Sequence, residues 1–205
     1  MQYRELESAL AKLIGVYPDK RPRFQARLKQ LQRMGFPEGV NAGKSARADY
    51  RAEQLFKLAF VLELLQIGIT PERAISFVRS WWDKIRRALL LADNSAGSIG
   101  IVFMPKDFGG LTQAGEAVDD EQIAWSSNGA AIISTLPGDE ADLIDTAKSI
   151  AAEPRSVVLN VSRIWLEIMS EGVLPQEDAD EVLADVEAWK GDTDMFGRRL
   201  YNVGS

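Results

Sequence analysis

The chain has 205 residues, 46% of them hydrophobic, with 24 Lys and Arg against 30 Asp and Glu and a net charge of −6. That length fits one large domain or two small ones, with enough apolar residues to bury a core. It contains no cysteine and no histidine, which excludes disulfides, thiol chemistry, a histidine general base and the ordinary zinc, copper or iron ligand sets.

An enzyme built from this sequence would have to work with carboxylates, lysine or a hard cation, so the expectation is a non-enzyme without cofactor or metal. No apolar run approaches the eighteen or so residues of a membrane span, and the N-terminal MQYRELESALAKL lacks the apolar core of a signal peptide. A cytoplasmic protein is expected. The net charge conceals a division. Residues 1–90 carry 17 Lys and Arg against 9 Asp and Glu, whereas residues 91–205 carry 7 against 21. A basic part joined to an acidic part points to an anionic partner for the first and a protein or effector role for the second.

In chain order, Tyr3 to Ile14 predicts a helix with Leu6, Ala9, Leu10 and Leu13 inward and Gly15 as its stop. Tyr17-Pro18-Asp19-Lys20 reads as a turn. Pro22 suits the first position of a second helix, whose Phe24, Leu28 and Leu31 form a narrow apolar stripe; Gly35-Phe36-Pro37 ends it. Residues 38–49 are short, polar and rich in small side chains. Tyr50 opens a third helix with Leu55, Leu58, Ala59, Leu62 and Leu65 inward, broken at Ile67-Gly68-Ile69. Thr70-Pro71-Glu72 starts a fourth, carrying Ala74, Ile75, Val78, Trp81, Trp82, Ile85, Leu89 and Leu90.

Asp93-Asn94-Ser95-Ala96-Gly97 reads as a linker. Beyond it, Ile99–Met104, Gln122–Ser126 and Ala130–Thr135 read as strands, the last two flanking a Ser127-Asn128-Gly129 turn. Helical patterns follow at Glu140–Ala152, Ser156–Ser170 and Glu177–Lys190. The fold class expected is α+β, mostly α: a DNA-binding domain over 1–92, a small acidic regulatory or dimerisation domain over 98–190, and a tail over 191–205.

With Phe24, Leu28 and Leu31 buried, Ala26, Lys29, Gln30 and Arg33 turn outward, and Arg23 and Arg27 flank the stripe. Arg and Lys suit guanine O6 and N7, and Gln suits adenine, so this face has base-reading chemistry as well as charge for phosphates. Arg21, at the helix entrance, joins the set. Lys44 and Arg47 occupy a loop placed to reach a flanking groove or the backbone. Tyr50 either offers its hydroxyl to a phosphate or packs at the start of the third helix. The alternative for the whole face is a solvated basic surface.

The order helix, helix, short glycine-containing segment, helix, Gly-Ile-Thr-Pro-Glu, helix resembles the DNA-binding domain of the MerR family of regulators, over about residues 5–80. RLKQLQRMGF (Arg27–Phe36) looks like the end of the family's recognition helix. Lys44 to Tyr50, with Arg47 and Tyr50, is similar to its basic wing. YRAEQLFKLAFVLELLQIGITPERAISFV (Tyr50–Val78) is the closest part. Between Gly15-Val16 and Leu28 the spacing is several residues longer than the family's tight turn, so the recognition helix starts earlier or the turn carries an insertion. The resemblance implies a winged helix-turn-helix that binds double-stranded DNA as a homodimer on two-fold symmetric sites and regulates transcription; the acidic region is left to dimerise the chain or to receive a small-molecule effector, a protein effector or none.

The runner-up is a protein-interaction adaptor, or an excisionase-like architectural DNA-binding protein. Adjacent helix positions point about 100° apart, so of Trp81 and Trp82 one is expected in the core and the other against the C-terminal region or a second subunit. Trp125 and Trp165 read as core residues or the lining of a ligand pocket. Asp119-Asp120-Glu121 and Asp139-Glu140 read as turn and cap residues rather than a metal or carboxylate-pair site. Residues 94–100 lack the lysine of a phosphate-binding loop.

Overall fold

A computed structural model describes residues 1–40, 49–94, 99–103, 130–134 and 157–191, with Asn94, 130–134 and Gly191 described by backbone alone. These residues form six α-helices and a small sheet: α1 (Tyr3–Leu13), α2 (Arg21–Arg33), α3 (Ala52–Gln66), α4 (Pro71–Asn94), β1 (Ile99–Phe103), β2 (Ala130–Ser134), β3 (Val157–Asn160), α5 (Val161–Met169) and α6 (Gln176–Gly191), with a 3-10 turn at Pro18–Lys20 before α2. The described part is thus mostly helical with a small sheet, as the sequence predicts. The loop 41–48 that carries Lys44 and Arg47 lies outside the described residues, as do the expected strand Gln122–Ser126, the helix Glu140–Ala152, both acid clusters, Trp125 and the tail beyond Gly191.

The helix ends follow from local chemistry. At the end of α1, Gly15 adopts φ +68, a conformation costly for a residue with a side chain. The Val16 amide then reaches back to the Ala11 carbonyl at 2.8 Å, satisfying a carbonyl that the helix leaves open. The same device closes α2, where the Phe36 amide bonds the Leu31 carbonyl at 3.0 Å, and α3, where the Ile69 amide bonds Leu64 at 3.1 Å. The turn expected at Tyr17–Lys20 is a 3-10 turn over Pro18–Lys20, and α2 starts at Arg21, one residue ahead of Pro22.

The core is built around α3, buried along ten of its positions from Ala52 to Leu64. Leu6, Ala9 and Leu10 of α1, Phe24, Leu28 and Leu31 of α2, and Ala74, Ile75, Val78, Ile85 and Leu89 of α4 join it. The sheet has the order β2-β1-β3, antiparallel throughout, with Ile101 opposite Ile132 and Leu159. β1 is buried along its whole length, although an antiparallel sheet can leave one face to water. Its Phe103 ring meets Phe77 of α4 at 5.1 Å, and the Ile99 amide donates to Ser162 Oγ at 2.8 Å.

Two sequence expectations are corrected here. The helix expected over Ser156–Ser170 is a strand over its first residues, because Val157 and Val158 are β-branched and extend the ladder of β1. Asn160 then caps α5, its Oδ1 accepting the Arg163 amide at 2.9 Å. The linker expected from Asp93 is helical through Asn94, and Asp93 lies 3.7 Å from Lys190 of α6. Residues on both sides of that boundary share one hydrophobic cluster: Val161, Ile164, Trp165, Ile168, Val182 and Val186 belong with the helices of the N-terminal part. Trp165 stacks on Phe56 of α3 with ring centroids 5.5 Å apart, so it is a core residue.

Candidate nucleic-acid interface

α2 carries Arg21, Arg23, Arg27, Lys29 and Arg33 and no acid, not even in its first turn, where helices favour one. Phe24, Leu28 and Leu31 bury one edge of the helix. At about 100° per residue Arg33 lies almost opposite that edge, with Lys29 and Gln30 on either side of it and Arg23 and Arg27 along one flank. Arg23, Arg27, Lys29, Gln30 and Arg33 are all exposed, and none of the four cations makes an ion pair among the described residues. From Arg23 to Arg33 the helix rises about 15 Å, a little more than the roughly 12 Å width of a DNA major groove. Arg23/Arg27 and Lys29/Arg33 are each four residues apart, a spacing at which like charges repel on a helix.

Two of the expected contact residues have other work. Arg21 is turned inward, its Nη1 2.8 Å from Oε1 of the buried Glu7, whose other oxygen is 3.5 Å from Gln25 Nε2. Tyr50 is only 2% exposed. Its hydroxyl accepts a hydrogen bond from Gln32 Nε2 at 2.9 Å, and its ring lies 6.3 Å from that of Tyr3. Burial lifts its phenol above the usual range, against the pull of the Gln32 bond. It therefore packs at the entrance to α3, which begins two residues later than expected, and it has no surface to offer a phosphate.

Trp81 and Trp82 are half-buried. Trp82 meets Trp189 of α6 edge-on at 5.9 Å and carries Lys57 Nζ over its ring at 5.2 Å. Trp81 lies 6.2 Å from Phe77, with Lys84 Nζ 4.1 Å from its ring. Trp82 is thus the one that meets the C-terminal region, whereas the contacts of Trp81 lie within α4 itself. The apolar stripe of α5 is likewise consumed within the chain's own core.

The loop flanks are tied by groups that the sequence reading passed over. Glu38 takes hydrogen bonds from Arg79 and from Lys57 Nζ, the latter at 3.2 Å, and Gln54 Nε2 donates to its carbonyl at 3.2 Å. Burial works to raise the Glu38 carboxyl, but the two cations outweigh it and hold the pKa below the ordinary value. Lys57 is almost wholly buried, with Glu53 Oε1 at 2.6 Å as a second partner.

On the far flank, α6 presents Asp178, Glu181 and Asp185 on one face. Glu181 Oε1 lies 3.0 Å and Asp185 Oδ1 3.2 Å from Arg51 Nη1, and Asp185 Oδ2 accepts the Ala52 amide at 3.1 Å. The Met1 amino group sits among Asp49 at 3.0 Å, Glu181 at 3.1 Å and Asp178 at 3.5 Å. Asp178, Glu181 and Asp185 are therefore engaged by Met1, Arg51 and the start of α3, and the cations of the α2 face are exposed. The i, i+3, i+7 spacing of Asp178, Glu181 and Asp185 was the available signal for that acidic face.

Among the described residues no group of His, Cys, Asp and Glu side chains could hold a metal ion, and no helix is long and apolar enough to cross a membrane. Comparison with family models, with curated proteins and with solved structures finds no match.

Proposed function

We propose that this protein binds double-stranded DNA through the exposed face of α2 and regulates transcription as a homodimer, in the manner of MerR-like winged helix-turn-helix proteins. The observation that carries the reading is the five-cation, acid-free α2 with four of its cations exposed and without ion partners among the described residues. Two like-charge pairs on one face oppose the helix they sit on, and an anionic partner removes that opposition. Gln30 beside Lys29 and Arg33 adds a donor–acceptor group suited to adenine. The outward positions Arg23, Ala26, Arg27, Lys29, Gln30 and Arg33 include no aromatic, which favours a duplex over a single strand, since single-strand sites rely on stacking. Lys44 and Arg47 serve in this reading as backbone contacts of the adjoining loop, and the acidic region receives the effector. No enzymatic activity is assigned.

The test is selection of bound duplexes from a random pool, followed by salt titration of the recovered sequence. An inverted repeat, sedimentation at twice the 22.7 kDa chain mass and a steep linear fall of log affinity with log salt are expected. Retention of polyglutamate as strongly as DNA, with no sequence enriched, would replace this reading with the protein-adaptor one. Enrichment with a monomer on bent DNA would favour the architectural one.

A further inference from the structure

A contiguous set of contacts joins the C-terminal helix to the basic face. Arg51 stands at the N-cap of α3, and a guanidinium has no acceptor with which to cap a helix. The missing acceptor comes from Asp185, 133 positions beyond Ala52, whose Oδ2 takes the Ala52 amide while Oδ1 holds Arg51. Glu181 grips the same guanidinium at 3.0 Å. The neighbouring residue is Tyr50, buried to 2% exposure, and its hydroxyl takes the Gln32 side chain on the last turn of α2. Gln32 precedes Arg33, the cation most nearly opposite the buried edge of the helix.

We propose that Tyr50 is a positioning residue for the α2 face, and that α6, through Asp185 and Glu181, holds it in register. Undocking of α6 then loosens the cations of α2 although it touches none of them. The inference takes from the proposed function only the identity of the ligand. The coupling itself is a property of the free protein, and coupling between sites is carried by packed and hydrogen-bonded contacts of this kind.

The experiment is amide hydrogen exchange on the full chain without DNA, paired with affinity for the selected duplex. Asp185→Asn/Glu181→Gln keeps the side-chain shapes and an oxygen for the Ala52 amide but removes the charge that grips Arg51. Tyr50→Phe keeps the buried ring and removes only the hydroxyl. In the double carboxylate variant, protection is expected to fall several-fold at residues 50–55 and also at 30–34. In the Tyr50→Phe background the loss at 30–34 is expected already to be present, and adding the carboxylate changes adds nothing there. With Tyr50 intact, Gln32→Glu, which can accept from the Tyr50 hydroxyl, is expected to keep the protection at 30–34 that Gln32→Leu loses.

Duplex affinity is expected to fall about tenfold in both the carboxylate variant and Tyr50→Phe, at unchanged salt slope, because no phosphate contact is removed. Loss at 50–55 with 30–34 unchanged overturns the proposal, and so does no change in either segment. Coupled exchange in a protein that binds no duplex upholds the coupling and sinks the DNA reading instead.

Discussion

Replacing Lys29 and Arg33 with alanine separates a functional charge from a structural one, because the two accounts call for opposite signs. Both side chains are exposed and neither has an ion partner among the described residues, so their removal breaks no ion pair there. It also abolishes one like-charge pair four residues apart, returning about 0.2–0.5 kcal/mol to the helix, and alanine is the best helix former. Thermal unfolding of the variant is therefore expected at or slightly above the wild-type temperature. Binding moves the other way. Each phosphate contact contributes about 0.9 to the slope of log affinity against log salt, so raising salt from about 50 to about 200 mM costs about 3.5-fold per contact. Four such contacts on α2 give about 150-fold per protomer over that range, and the two left in the variant give about 12-fold. Fluorescence anisotropy at several salt concentrations, with parallel melts, reads both quantities. An unchanged slope refutes the assignment of this face, and a melting temperature lowered in step with affinity shows that folding, not contact, was lost.

The remaining expectations concern the support of that face. Glu38 has a folded-state pKa held below its ordinary value of 4.5 by Arg79 and Lys57 against the cost of burial. Its stabilising effect is thus full above about pH 4.5 and lost as pH falls through the folded value; the stability gap between wild type and Glu38→Gln, followed by denaturant titration, should be constant near neutrality and close in acid. Glu63 is shifted the opposite way, raised from 4.5 by burial. Ionising it therefore opposes folding as pH rises, and Glu63→Gln is expected to melt higher than wild type at pH 7 and alike below pH 4.5. Trp165→Ala empties the stack against Phe56 and should cost about 3–5 kcal/mol in chemical denaturation, with Trp165→Phe well below that; equal losses would mean that the ring stack is not what the site uses.

The helical half of the molecule was legible because its signals are local. Gly15, Gly35 and Gly68 end their helices where the sequence places the stops, and Phe24, Leu28 and Leu31 are the buried edge of α2 that their spacing implies. Exposure of Arg23, Lys29, Gln30 and Arg33 follows from the same periodicity. What failed depended on distant partners. Val157 to Asn160 read as helix because Val161, Ile164, Trp165 and Ile168 impose their period on the window, and only the presence of β1 alongside makes the first four residues a strand. Arg21 and Tyr50 have the chemistry of phosphate contacts. Glu7 and Gln32, 14 and 18 positions away, engage them within the chain. The acidic C-terminal pattern marked a partner region, and its first partner is the chain itself at Arg51 and Ala52.

The placement of β1 sets a timetable for the chain's birth. Its antiparallel neighbours are residues 130–134 on one edge and 157–160 on the other. After Phe103 the ribosome must add 54 residues to reach and include Val157, roughly 3–11 s at about 5–20 residues per second. Throughout that interval the helices of the basic part are already out and able to pack, while an apolar strand waits with both edges bare until residues 130–134 emerge and with one edge bare until 157–160 follow, the condition under which nascent chains pair with one another. A holdase that shields Ile99 to Phe103 should therefore raise the yield of native protein, and slowing translation after residue 103 should lower it.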